Sequence, residues 1–167
     1  MVRVMKKAKH TILIVGEGRH EEAFLNHLKR LYVDRGCGIS VAIKNARGKG
    51  AKHVVDWTIR QIRNASYDEV AVLLDTDQDW TTAVQTKAKR NKIAVLTSDP
   101  CFEAMLLRAM RKRAVGDSKA LKKAFGPYVK RDPTRPENYQ DHFSHEELQT
   151  MRTIEASIDR LLRLFNK

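Results

Sequence analysis

The chain has 167 residues, of which 42% are hydrophobic, and it carries a formal net charge of +12. This length suits one domain with a substantial core, and the hydrophobic content excludes disorder as the main state. No apolar run is long enough to span a membrane, and the short apolar run after the basic N-terminus is too short for a secretory signal. Two distant cysteines predict a reduced, cytoplasmic protein without a disulfide-linked partner.

The excess of basic side chains favours a polyanionic partner, most simply nucleic acid, although a solvated basic surface without any partner would have the same composition. Residues 104–131 contain nine Lys or Arg and only one acid, Asp117. The other acids of interest gather at two predicted strand ends. Acids concentrated in motifs, with bases on the surrounding surface, suit a metal centre that handles phosphates.

Apolar runs predict four strands, and helical periodicity predicts the segments between them. The strands are expected at 11–15, 39–44, 70–74 and 93–96. Helices are expected at 20–33, 51–64 and 81–91, and another after Pro100. Strands that alternate with helices imply right-handed crossovers and a parallel sheet.

The alternation stops near residue 113, which predicts an α/β core over residues 11–113. A basic N-terminal tail, residues 1–10, precedes the core. A helical extension, residues 114–167, is expected to pack on it within a single domain. Within the extension, Ser144 and Glu147 form a capping-box pattern, and apolar residues from 148 to 165 recur at the spacing of one amphipathic helix.

The first strand runs into Gly16-Glu-Gly18, with a second glutamate, Glu21, in the next helical turn. Both glycines are expected to let the backbone turn sharply. Ligands of open α/β sheets bind at the carboxyl ends of strands, where Glu17 stands. A phosphate loop needs bare amide groups there, whereas two carboxylates favour a cation or a proton.

The third strand ends in Asp75-Thr-Asp77, whose side chains point to one face in extended backbone. A polar turn would explain this motif alone, because Asp is common after strands. The acid at the end of strand one favours a metal site instead, since oxygen ligands suit Mg²⁺ or Mn²⁺. Asp79 is a weaker candidate because the chain is expected to turn there.

If the two acidic strand ends meet, strands one and three are neighbours and the sheet order is 2-1-3-4. After strand four, Asp99 is expected to cap the next helix and Pro100 to occupy its first position. Glu103 suits the first turn through the helix dipole and could also orient the acidic pocket. The glycines fit neither the dinucleotide fingerprint nor a P-loop.

These motifs together resemble the Toprim domain, the fold shared by topoisomerases, DnaG-type primases and OLD-family nucleases. The closer resemblance is to the RloB-like branch of bacterial proteins linked to restriction and abortive-infection loci. The segment Glu17-Gly-Arg-His-Glu21 is similar to its EGxTE motif, with His20 where Thr is usual. Gly48-Lys-Gly50 and Tyr67–Asp77 match in order and spacing.

The segment Asp99-Pro-Cys-Phe-Glu103 resembles the NPxFExWLL motif of the same branch. Asp99 replaces Asn, Met105 replaces Trp, and Arg108 stands where His is common. The resemblance implies a Toprim/Rossmann-like four-stranded parallel sheet of order 2-1-3-4 with flanking helices, and a nuclease that depends on Mg²⁺ or Mn²⁺.

Carried over residue by residue, the resemblance implies that Glu17, Glu21, Asp75 and Asp77 bind the metal. Glu17, Asp75 and Asp77 are the catalytic candidates, with Glu17 as a general base. Asp79 and Glu103 are secondary candidates. A further hypothesis is that basic residues steady the phosphate backbone, namely Lys44, Arg47, Lys49, Arg108, Arg111, Lys112 and Arg113. No catalytic lysine is identified.

Three functions stay open at this point. The first is a small nuclease acting on DNA or RNA, in phage defence. The second is a metal- or nucleic-acid-binding module without catalysis that serves a partner protein, for example an ATPase. The third is phosphoryl transfer on a nucleotide.

Overall fold

Four parallel strands form the centre of the molecule. The computed structural model describes residues 10–166. The strands are β1 (His10–Gly16), β2 (Ile39–Asn45), β3 (Glu69–Asp75) and β4 (Ile93–Ser98). Their order is β2-β1-β3-β4, as the acidic strand ends predicted. The chain therefore leaves β1 toward one side of the sheet and returns through β3 on the other, which makes the β1–β3 boundary the topological switch point.

Seven α-helices surround the sheet within residues 10–166. They are α1 (Arg19–Tyr32), α2 (Gly50–Asn64), α3 (Thr82–Arg90), α4 (Phe102–Ala109), α5 (Ser118–Phe125), α6 (His145–Met151) and α7 (Ala156–Phe165). Short 3₁₀ turns, Gly126–Val129 and Pro136–Tyr139, lie between α5 and α6. The predicted α/β class and the helical C-terminal part are confirmed.

Helices cover both faces of the sheet, and alternate residues of β1 pack against the helices on opposite faces. Ile12 and Ile14 pack with α1, α4 and the C-terminal helices, whereas Leu13 and Val15 pack with α2 and α3. Successive strand residues point to opposite faces, so an unbroken apolar run is what a doubly covered strand requires. All four side chains are fully buried, and each contributes about 1.5–3 kcal/mol of transfer free energy.

The predicted C-terminal helix is wrong as a single element. Ser144 caps α6 as expected, since its Oγ accepts the Glu147 N–H. The helix then ends at Met151, and α7 begins only after Glu155, whose backbone is extended. The Glu155 carboxylate accepts the Nε–H of Arg108 on α4 at 2.7 Å. The interruption thus coincides with the residue that makes this tertiary ion pair.

The second helix of the extension protects an edge of the sheet. Ser157 Oγ donates to the Thr97 carbonyl at 2.7 Å, and an Arg160 guanidinium N–H donates to the Val95 carbonyl at 2.8 Å. These carbonyls lie on the free side of β4, where unpaired backbone groups would otherwise invite pairing with another chain. The extension packs on the core here through β4 and elsewhere against α1 and α4.

Three further predictions concern the N-terminal tail, the cysteines and membrane spans. The predicted N-terminal tail, residues 1–10, lies outside the described residues except for His10, which begins β1. Cys37 is exposed, Cys101 is buried, and neither forms a disulfide. Among residues 10–166, no helix is long and apolar enough to cross a membrane.

Candidate functional site

The turn from β1 into α1 brings Glu17 against the end of β3. The Glu17 N–H donates to the Leu73 carbonyl at 3.1 Å, and the Glu17 carboxylate accepts the Asp75 N–H at 2.8 Å. Burial raises the pKa of Glu17 above its usual value, although the backbone hydrogen bond from Asp75 acts in the opposite direction. The backbone N–H of Asp75 thus holds the Glu17 carboxylate against the end of β3.

Gly16 is needed for close approach rather than for a special backbone angle. A Cβ at Gly16 would lie 2.8 Å from the Glu21 Cβ, closer than real carbon atoms approach. Neither Gly16 nor Gly18 has a positive φ, so the turn after β1 does not use left-handed backbone. The missing side chain instead lets the first turn of α1 press against the end of β1.

Glu21 lies beneath this turn and is 6% exposed. Its carboxylate accepts the Gly18 N–H at 3.0 Å, which caps the start of α1. Burial, with further repulsion from the Glu103 and Glu17 carboxylates, raises its pKa to about 7. The buried site therefore favours the protonated form of Glu21 far more than water does.

Glu17, Glu21, Asp75 and Glu103 form an acidic cluster at the carboxyl end of the sheet. Asp75, the last residue of β3, has the most perturbed carboxyl group of this cluster. Burial, followed by repulsion from Glu21 and Glu17, raises its pKa to about 9. Its Oδ1 atom is buried and has no hydrogen-bond partner among the described residues. An unpartnered buried carboxylate oxygen is costly, and such groups require a proton or a cation.

Glu103, expected only as a secondary candidate, lies inside the same cluster. Its side chain is 4% exposed, and its Oε1 lies 2.9 Å from Nδ1 of His20, a hydrogen bond that joins α4 to α1. Burial alone would raise the pKa of Glu103, but the His20 hydrogen bond and nearby positive charge hold it below its usual value. Glu103 is therefore the ionised member of the buried group.

The helix cap predicted beside Glu103 is wrong. Cys101, not Asp99, is the N-cap residue of α4, and Phe102 is the first helical residue. Asp99 instead accepts the Thr76 hydroxyl at 2.8 Å, which ties the loop after β4 to the loop after β3. Both loops are thereby held at the edge of the acidic cluster.

Asp77 and Asp79 are exposed and differ from the buried acids. Asp77 accepts a hydrogen bond from Ser118 at 3.0 Å, and its charge contributes to the raised pKa of Glu17. Asp79 has left-handed backbone and lies beside Gly50, where a Cβ would come within 3.0 Å of its carboxylate. Asp77 thus borders the cluster, whereas Asp79 lies in the loop after β3, beside the first residue of α2.

The predicted phosphate-binding residues fall into three groups. Lys44, Arg47 and Lys49 lie at the end of β2 and in the following loop, next to the β1–α1 turn. Arg108 is used inside the protein, since it bonds both Glu155 and the Asp99 carbonyl.

The third group, Arg111, Lys112 and Arg113, follows the far end of α4 from Glu103. A helix of eight residues spans about 12 Å. This basic patch is therefore separated from the acidic cluster by about the length of α4, whereas the β2 loop adjoins it.

The sequence did not identify Lys122 and Ser118, which both lie on α5. Ser118 bonds Asp77, and Lys122 stands one turn further on the same helical face. The positive charge of Lys122 lowers the pKa of both Glu17 and Glu103. No local signal marks this lysine, because six other Lys or Arg residues lie within ten positions of it.

A model of the RloB-like protein family matches residues 12–167, nearly the whole chain. The chain belongs to the RloB-like family. The resemblance drawn from the motifs at residues 17–21, 48–50, 67–77 and 99–103 is confirmed at this level, while the wider relation to Toprim domains stays a prediction. No curated protein and no solved structure matches the chain.

The donor set of this RloB-like chain fits a hydrated divalent cation. Its carboxylate oxygens, with an unpartnered buried Oδ1 on Asp75, are the ligands that Mg²⁺ and Mn²⁺ prefer. Within residues 10–166, no group of three or more His, Cys, Asp or Glu side chains is arranged to hold a metal ion. Mg²⁺ commonly keeps several waters and uses only one or two carboxylates, so an open site agrees with both observations.

Proposed function

We propose that this RloB-like protein is a Toprim-type nuclease that depends on Mg²⁺ or Mn²⁺ and hydrolyses phosphodiester bonds in DNA or RNA. The observation that carries the proposal is the unpartnered Oδ1 of Asp75 at the switch point of the sheet, surrounded by the carboxyl groups of Glu17 and Glu21. A net charge of +12 on the whole chain supports a polyanionic substrate.

In this proposal Asp75 and Glu17 hold the cation, and Glu21 and Asp77 complete its surroundings. Such a cation lowers the pKa of water and stabilises charge on phosphoryl oxygens. Binding requires the acids to be ionised. Asp75, with a pKa of about 9, and Glu21, with a pKa of about 7, would therefore release protons on binding.

The remaining groups act on protons and on the phosphate. Glu17 is the candidate general base, because its raised pKa makes its carboxylate a better proton acceptor than an ordinary glutamate. Lys122 would place positive charge beside the phosphate on the α5 side of the cluster. The ionised Glu103 orients His20 and adds negative charge behind the site.

One observation favours a second candidate function, a nucleic-acid-binding module that serves a partner such as an ATPase without cleaving. Among residues 10–166, no group of three or more His, Cys, Asp or Glu side chains is arranged to hold a metal ion, whereas the basic surface needs no metal to bind a polyanion. Binding without cleavage would be the signature of this alternative.

A cleavage assay separates the two candidates. Labelled single- and double-stranded DNA and RNA are incubated with the protein in Mg²⁺, in Mn²⁺ and in EDTA, and products are resolved on denaturing gels. The nuclease proposal expects cleavage by the wild type with either cation, none in EDTA, and none by Glu17→Ala or Asp75→Ala. Retarded but intact substrate under every condition would support the binding module instead.

A further inference from the structure

A cleft of about 860 Å³ opens beside the acidic cluster, between three segments of the chain. Gly18, Arg19 and Glu22 line it from the start of α1, and Asn45 and Arg47 line it from the end of β2 and the next loop. Thr134, in the connector before the second 3₁₀ turn, closes the third side. The cleft is polar and adjoins the carboxyl end of the sheet.

The walls of the cleft are continuous with the backbone that carries the acidic cluster. Gly18, which lines the cleft, donates its N–H to Glu21 at 3.0 Å. Gly48, which follows Arg47, donates its N–H to the carbonyl of Glu17 at 2.6 Å. The cleft and the acids Glu17 and Glu21 therefore share the β1–α1 turn and the β2–α2 loop, although neither acid lines the cleft.

The charges of the cleft favour an anion. The side chains of Arg19 and Arg47 are exposed and make no hydrogen bond or ion pair with any residue in the described range 10–166. The acid in the cleft, Glu22, accepts a hydrogen bond from the Asn45 amide at 2.6 Å and forms no ion pair with either arginine, so the lining carries two positive charges against one negative charge. Two guanidinium groups are thus left to a ligand, and their planar fork matches phosphate oxygens.

The backbone of the β2–α2 loop holds Arg47 in place. Its N–H donates to Oδ1 of Asn45 at 2.7 Å, and its φ is 64°. The same asparagine thus engages Glu22 with its amide nitrogen and orients Arg47 with its oxygen. By contrast, the guanidinium of Arg108, another expected phosphate contact, donates hydrogen bonds to Glu155 and to the Asp99 carbonyl.

We propose that this cleft binds the phosphodiester backbone of a nucleic acid, with Arg19 and Arg47 contacting phosphates next to the bond presented to the acidic cluster. The proposal rests on the proposed function for the role of the acids, but the cleft's affinity for nucleic acid is measurable without cleavage.

The test measures binding by fluorescence anisotropy in EDTA, so that no strand is cut. The probes are fluorescein-labelled 20-mers of single- and double-stranded DNA and RNA, titrated at several salt concentrations. The variants are Arg19→Gln, Arg47→Gln and the double variant. The matched control is the double variant Arg90→Gln and Lys92→Gln, which removes two exposed cations from the α3–β4 turn.

The cleft variant is expected to weaken binding of the best probe by about tenfold or more and to reduce the salt slope by about two. The control is expected to change both quantities little. Thermal unfolding and Mn²⁺ affinity should match the wild type for both double variants. An unchanged affinity and slope for the cleft variant, an equal loss in the control, or a wild type that binds none of the probes would overturn the proposal.

Failure of this proposal is distinguishable from failure of the proposed function. If the wild type binds nucleic acid through the cleft but never cleaves it, the cleft proposal stands and the nuclease proposal fails. If the wild type cleaves and the cleft variants bind and cleave equally well, the cleft proposal fails and the nuclease proposal stands. Which of the four probes binds tightest shows whether the cleft accepts DNA or RNA, single or paired strands.

Discussion

The acids at the carboxyl edge of the sheet form two regions with different physical character. Glu21 and Glu103 are buried and Asp75 is partly buried; burial and mutual repulsion raise the pKa values of Glu21 and Asp75, whereas the hydrogen bond from His20 lowers that of Glu103. Asp77 and Asp79 lie only a few residues beyond β3 but are exposed. This contrast indicates that position after a strand does not make an acid functional. The stronger reason to propose a role for Asp75 is its buried, unpartnered Oδ1, because such an atom is costly to bury without a proton or a cation.

The largest expected effect separates Asp75 from Asp79. In the nuclease proposal, Asp75→Asn reduces the cleavage rate by about 10³-fold or more, because the cation loses a ligand and its Lewis acidity at the phosphate. Asp79→Asn, the matched exposed substitution, leaves the rate within about twofold of the wild type. Single-turnover cleavage and Mn²⁺ calorimetry measure both. Equal losses in the two variants would contradict the distinction between buried and exposed acids.

The next effect concerns Lys122, whose positive charge lowers the pKa of Glu17 and Glu103. Lys122→Met is expected to reduce cleavage by about 10–100-fold, since positive charge beside the phosphate is lost. Lys123→Met, one position further along α5 and also exposed, serves as the control and should behave like the wild type. Identical rates for Lys122→Met and the wild type would remove Lys122 from the site.

The packing that buries Glu21 is tested by Gly16→Ala. The added Cβ would lie 2.8 Å from the Glu21 Cβ and 3.2 Å from the backbone N of Glu22, so the start of α1 must shift. Overpacking of this kind costs about 1–3 kcal/mol of unfolding free energy, measured by urea denaturation. Gly126→Ala is the control, because nothing lies within 4 Å of the position that its added Cβ would take. A fully stable Gly16→Ala protein would contradict the close approach.

The pH dependence of stability tests the buried acids together. Asp75 and Glu21 have folded-state pKa values of about 9 and about 7, above their ordinary values of 3.8 and 4.5. The folded state therefore binds more protons than the unfolded state, and their stabilising contribution grows as the pH falls from about 9 to about 4. Above about pH 9 this contribution is lost.

Thermal unfolding in EDTA between pH 5 and pH 9 measures this effect against the double variant Asp75→Asn and Glu21→Gln. The variant should be more stable than the wild type at pH 8, and the difference should shrink as the pH falls. Taking the difference cancels other groups, including His27, whose burial lowers its pKa and acts in the opposite direction. Excess Mn²⁺ should stabilise the wild type alone, and more at pH 8 than at pH 6.

The smallest expected effect concerns the exposed region. Ser118→Ala removes one hydrogen bond to Asp77. Because both groups are accessible to water, the expected changes are below about 1 kcal/mol in stability and about threefold in cleavage rate. A loss as large as that of Asp75→Asn would show that α5 positions Asp77 within the catalytic centre.

The sheet and its acidic edge could be predicted from the sequence alone. Unbroken apolar runs such as residues 70–74 require a strand covered on both faces, and acids placed directly after β1 and β3 predicted that these strands are neighbours. Local chemistry was also sufficient for the Ser144 cap, because a hydroxyl and a carboxylate three residues apart satisfy nearby backbone groups without help from the rest of the fold.

Features that depend on distant residues emerged only from the folded chain. The apolar periodicity continues from Met151 through Ile158, yet the helix breaks where Glu155 meets Arg108 of α4. Glu103 changes from a helix-dipole residue to a member of the buried cluster because His20 and Asp75 come from other elements. The charge of Lys122 acts on the same cluster because α5 folds back beside Asp77. Periodicity reports the face of one element, whereas burial and charge coupling depend on contacts between elements.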